Sequence, residues 1–131
     1  MKKMKRWLIA LLLTWTITGS SAEQGPDGVY LAQVDQPLAA VYDRVYKSLE
    51  DARFYVVFEP NIGANLAGFA EKWGDDYNRN KLSAIRSMVF CNGWYANKVS
   101  NLDPNMLGFC PLHITLIERD GKTTVLFNAS V

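Results

Sequence analysis

The chain has 131 residues, 49% of them hydrophobic, and its 14 Lys+Arg against 13 Asp+Glu give a net charge of +1. Four of the basic residues and none of the acidic ones lie within the first 22 positions, so the remaining 109 residues carry 10 basic and 13 acidic groups, a net of −3. That length suits one ordinary domain with its own core, the aromatic content argues against disorder, and the lack of a basic stripe excludes nucleic-acid binding and an electrostatic membrane role.

Residues 1–22 read as an export signal. Lys2, Lys3, Lys5 and Arg6 make a positive n-region. Residues 7–18 are an apolar run too short for a membrane span, and Ser20 and Ala22 put small side chains where a signal peptidase reads them. The expected mature protein begins at Glu23, is periplasmic or secreted, and keeps no stable membrane anchor once the signal is removed. No Cys follows the apolar run to take a lipid, and no twin-Arg pair precedes it.

Residues 23–27 read as a loose Gly-Pro leader, followed by a single domain over 28–131. Val29–Val34, rich in Val, Tyr and Leu, is a first strand. Asp35 is placed as the cap of a helix over 36–52, in which Leu38, Val41, Tyr42, Val45, Leu49 and Ala52 recur at helical spacing. Its charged residues Asp43, Arg44, Lys47, Glu50 and Asp51 form a solvated face. Residues 54–59 are a continuous apolar run ended by Pro60, the pattern of a buried strand. Ile62, Leu66, Phe69 and Trp73 predict one second helix, capped by Gly74.

After a polar loop over 75–81, residues 82–91 read as a strand weakened by Ala84 and Ser87, and 94–102 as a short helix ended by Asp103-Pro104. Leu112–Arg119 and 123–128 are strands joined by Asp120-Gly121, the strongest hairpin signal in the chain. The order β-α-β-α-β-α-β-β ends in a hairpin, so the sheet cannot be wholly parallel. The fold class is α+β, with a mixed or mostly antiparallel sheet, helices on one face, and the other face open to a second copy.

The motifs that are missing narrow the chemistry. There is no Cys-x-x-Cys, His-Glu-x-x-His, phosphate loop or dinucleotide fingerprint, and His113 is the single histidine, so no catalytic residues are assigned. What remains is Cys91, Cys110 and His113. The two cysteines end and open neighbouring predicted strands, and in an oxidising compartment such a pair forms a disulfide if geometry permits, contributing about 3 kcal/mol for a loop of this length. Other readings stay open: a redox-active dithiol, two buried free thiols, or a metal or haem ligand set of Cys91, Cys110 and His113 with Met88 or Met106. No cofactor is required by any of the other residues.

Asn92, Trp94 and Tyr95 are pocket candidates for a flat ligand, although aromatics at a helix start are more often core or dimer contacts. Glu71, Asp75 and Asp76 are read as solvated carboxylates. Arg86, inside an apolar strand, either faces outward or contacts an anion. Asn128-Ala129-Ser130 matches a glycosylation acceptor, a pattern of low specificity.

The segment 55–59 ahead of a helix, Phe90-Cys91-Asn92 followed by Ala96, Asp103-Pro104 ahead of Cys110-Pro111, and the hairpin Asp120-Gly121-Lys122 together resemble the family of domain of unknown function 302, over residues 29–127. The family pattern has Pro after Cys-Asn where this chain has Gly93. The resemblance implies a small α+β domain that pairs as a homodimer, supplies no catalytic residue, and groups Cys91 and Cys110 in one spatial feature. The expected protein is thus an exported, non-enzymatic dimeric module with a binding or accessory role. Its rival is a redox or metal-linked protein built on Cys91, Cys110 and His113.

Overall fold

The computed structural model describes residues 22–26 and 28–128. The expected signal therefore lies outside the described residues apart from Ala22, and so do Asp27 of the leader and Ala129 and Ser130 of the acceptor motif. Among the described residues no helix is long and apolar enough to cross a membrane.

Six strands form one sheet: β1 (Ala22–Gln24), β2 (Val29–Val34), β3 (Tyr55–Phe58), β4 (Ala84–Cys91), β5 (Leu112–Arg119) and β6 (Lys122–Asn128). The spatial order is β1-β2-β6-β5-β4-β3 and every pairing is antiparallel. The helices are α1 (Leu38–Asp51), α2 (Ile62–Ala67), α3 (Ala70–Trp73) and α4 (Gly93–Leu102), with 3-10 turns over Gly74–Asp76 and Pro104–Phe109. The α+β class and the expected element order hold. The leader is not loose throughout, because Glu23 and Gln24 pair with Leu31 and Tyr30 as part of β1.

Helix α1 packs on β3, β5 and β6, carrying the chain from β2 on one side of the sheet to the β3 edge on the other. Its Leu38, Val41 and Tyr42, at i, i+3 and i+4, meet Met88 and Leu116, both with no exposed surface. The helix opens two residues later than predicted. Pro37 stands in the cap position with no side-chain bond, and the first amide is capped from across the sheet, where Leu38 N donates to Glu118 Oε2 at 2.6 Å. That bond, joined by Ser83 Oγ donating to Oε1 at 2.8 Å, holds the Glu118 carboxyl below its ordinary range. Thr123, fully buried at the start of β6, donates to Gln36 O at 2.8 Å and fixes the same junction.

The hairpin forms as read. Asp120 and Gly121 both adopt positive φ, 53° and 71°, the backbone that a two-residue turn between twisted strands requires. Two expectations change. The apolar run at 55–58 is an edge strand rather than a buried one, with Tyr55, Val57 and Phe58 each more than half exposed at 54%, 64% and 63%. The single helix predicted over 62–73 breaks at Gly68 and Phe69, where Phe69 N bonds Leu66 O at 3.0 Å and Phe69 stacks on Trp73, ring centroids 5.0 Å apart. Ser87, read as a weak point of its strand, is buried with its hydroxyl 2.6 Å from that of Thr115.

Candidate functional site

Strand alternation sorts the candidate residues. On β4, Ala84, Arg86, Met88 and Phe90 face α1, since Met88 lies in the core beneath it, and Ile85, Ser87, Val89 and Cys91 face the opposite side. Cys91 pairs with Tyr55 and His113 with Val89, so both belong to the face away from α1. Cys91 is half-buried and Cys110 exposed, and both are free thiols. The expected disulfide is therefore not formed in the structure. The β4–β5 register, extended one step beyond Phe90↔Leu112, sets Cys91 level with Pro111, so the two cysteines do share one end of the sheet.

The alternative ligand set of Cys91, Cys110 and His113 is not gathered in the structure. Among the described residues no three His, Cys, Asp or Glu side chains come together in the way a metal ion needs. The register gives the reason: His113 stands opposite Val89, a full pleat repeat along β4 from Cys91, and Cys110 leaves the sheet at the end of a 3-10 turn.

Asn92, Trp94 and Tyr95 serve the start of α4. Asn92 Oδ1 accepts from Tyr95 N at 3.1 Å, the cap its sequence position allows. Trp94 and Tyr95 are each 58% exposed. Lys98 Nζ lies 4.3 Å from the Trp94 ring centroid, and Tyr95 stacks on Phe54 at 6.3 Å. Phe54 in turn meets Phe90 edge-on at 5.8 Å. Phe54, Trp94 and Tyr95 form a surface ridge linking α4 to the approach to β3, while Phe90 itself is buried. The rest of the excursion between β4 and β5 adds exposed Leu102, Met106, Leu107 and Phe109, and neither α4 nor the 3-10 turn after it buries a residue.

A cleft lies elsewhere, where β3 has ended and α2 takes its place along β4. Its volume is ≈ 550 Å³, and its walls include Asn61, Leu66, Trp73, Asp76, Ile85 and Arg86. The approach of α2 is close because Gly63 has no side chain: a Cβ there would stand 3.1 Å from Ile85 N. Arg86 is the residue that sequence reasoning left undecided. It points inward, its Cζ 4.1 Å from the centroid of the Tyr42 ring. The Tyr42 hydroxyl donates to Glu59 Oε1 at 2.6 Å. Burial, then that hydrogen bond, push the Tyr42 phenol up to about 12, against the opposing pull of Arg86. The Arg86 Nε is buried with no hydrogen-bond partner. The isolated Arg in an apolar strand was a visible signal, but only the fold gives its direction.

A family profile described as "Domain of unknown function DUF302" matches residues 30–131. Among solved structures, the chain is similar to the crystal structure of an uncharacterized conserved DUF302 protein from Bacillus stearothermophilus. The two share 19% sequence identity with a TM-score of 0.64, over 78% of this chain and 73% of that one. At that identity the likeness concerns the fold alone. No curated protein matches the chain.

Proposed function

Because the chain belongs to the DUF302 family, a fold group defined without an activity, we propose from its own surface that it is an exported, non-enzymatic module that works as a homodimer. The observation that carries this reading is the exposed apolar ridge running from Tyr55, Val57 and Phe58 on the β3 edge to Trp94, Tyr95 and Phe109 on the excursion. Large apolar residues gathered at one end of a domain mark an association surface. An edge strand adds unpaired backbone groups that a second copy can satisfy. A stable pairing covers about 800 Å² per partner, which a ridge of six large side chains is suited to supply. A second copy is the occupant that fits, because a two-fold axis lets one self-complementary patch serve both partners.

Export is supported by the basic, apolar and small-residue succession over residues 1–22. Thiol or metal chemistry at Cys91, Cys110 and His113 has less support, since the three are not gathered into one site. Light scattering on the mature protein at micromolar concentration tests the assembly: twice the chain mass is expected, and Phe58→Asp should return it to one chain with its fold intact. A monomer over a wide concentration range rejects the reading. N-terminal sequencing of the exported protein should find Glu23 first, and an intact Met1 in the membrane fraction rejects export by cleavage.

A further inference from the structure

Arg86 is half-buried, with its Nε closed off from water and without a hydrogen-bond partner. Its neighbours on the α1 side of β4 are Ala84 and Met88, and its cross-strand partner is Leu116, which has no exposed surface. Among the described residues it makes no ion pair and no hydrogen bond. Its single partner is the face of Tyr42. Half-burial costs a guanidinium part of its hydration, which an aromatic face replaces only in part.

The carboxylates within reach of this region are already engaged. Glu59 accepts from Tyr42, Glu118 accepts from Leu38 N and Ser83, and Asp76, on the cleft wall, is paired with Arg79. The wall amide of Asn78 is used twice by Leu82, accepting from its N and donating to its O at 2.9 Å each. Among the groups lining the cleft, Arg86 is thus the strong donor left without an acceptor. The cleft is open, of a volume that takes a small organic molecule, and has Leu66 and Trp73 as apolar wall.

We propose that this cleft binds a small organic acid, its carboxylate seated on Arg86 and its apolar body against Leu66 and Trp73. A planar guanidinium matches a carboxylate through two parallel N–H···O bonds. One charge is the right number: no second Lys or Arg lines the cleft, and the Asp76 carboxylate on its wall disfavours a dianion such as phosphate. The inference goes beyond the assembly proposed above and does not rest on it, since none of the ridge residues lines the cleft.

Titration of the isotopically labelled mature protein with phenylacetate, phenylacetamide and inorganic phosphate tests it. Phenylacetate should move the Arg86 side-chain and Trp73 indole resonances, and should bind about tenfold or more tighter than the neutral amide or phosphate, the value of one charge-assisted hydrogen-bonded pair. Arg86→Met should keep the fold, since the side chain gives up no ion pair and no hydrogen bond, and should lose the binding. Arg86→Lys should bind more weakly than the native protein because an ammonium lacks the fork. Should Arg86→Met not fold, Ala67→Phe carries the test by narrowing the cleft with Arg86 in place, and must lower the affinity. Equal binding of the amide, equal binding of phosphate, native affinity in the folded variant, or no resonance change in the cleft overturns the proposal.

Discussion

Helix α1 and the excursion between β4 and β5 are both rich in apolar side chains, yet they are used in opposite ways. Helix α1 spans 14 residues and supplies three of the six buried hydrophobic residues among those described, Leu38, Val41 and Tyr42. Residues 93–109 supply none, and residues 101–110 are all exposed. Topology explains the contrast. Strands β4 and β5 are antiparallel neighbours in register from Ala84↔Glu118 to Phe90↔Leu112, so a short turn would join them. The much longer stretch in its place packs mainly on itself, α4 against the 3-10 turn that follows it. Apolar content therefore marks the core in one region and an exposed surface in the other.

The contrast is broken if the two regions respond alike to truncation. Leu116→Ala, beneath α1, should lower stability by about 2–5 kcal/mol in denaturant unfolding, the cost of a cavity that a packed core cannot close. The matching change on the excursion, Leu102→Ala, should leave the unfolding midpoint close to native. Comparable losses at both sites would mean the excursion is as integrated as α1.

Gly63→Ala comes next. The new methyl meets Ile85 N at 3.1 Å and cannot displace backbone cheaply, so α2 must lift from β4. A loss of about 1–3 kcal/mol is expected, as for other overpacked contacts, together with looser amide protection on α2 alone. A neutral outcome would show that α2, like the excursion, rests lightly on the sheet.

Tyr42→Phe sharpens the comparison within the core itself. It removes the bond to Glu59 and should cost about 1 kcal/mol at neutral pH. The pH dependence has a definite sign. The folded phenol titrates near 12 against 10.0 for a free one, so its contribution is complete below 10 and is lost as pH rises from 10 toward 12. Alkaline unfolding should therefore be steeper in the native protein than in the Phe variant, and identical profiles would remove the phenol from the account.

The smallest effect is expected on the surface. Leu102, 89% exposed, should accept Ser with a change within about 0.5 kcal/mol in the monomer. A larger loss in concentrated than in dilute protein would place Leu102 inside the association surface.

The sequence by itself determined what depends on neighbours along the chain. The spacing of Leu38, Val41 and Tyr42 predicted α1 and its buried stripe, because three to four residues per turn is a local property. Asp120-Gly121 predicted the hairpin, because the positive φ at both positions is a demand on those two residues alone. Asn92, read from the sequence only as a pocket candidate, instead caps α4, which opens at Gly93. Only the tertiary structure decided the rest. Residues 55–58 carry the pattern of a buried strand and stand at an edge, since nothing within them states which strand lies beside them. The first amide of α1 is capped by Glu118, 80 positions away. Arg86 faces inward because the parity of β4 is fixed by Met88 two residues on, and its isolation exists only once Glu59, Asp76 and Glu118 have each bonded elsewhere. Spacing and turn chemistry are written in consecutive residues, whereas edges, caps from afar and unpaired charges are properties of which distant segments meet.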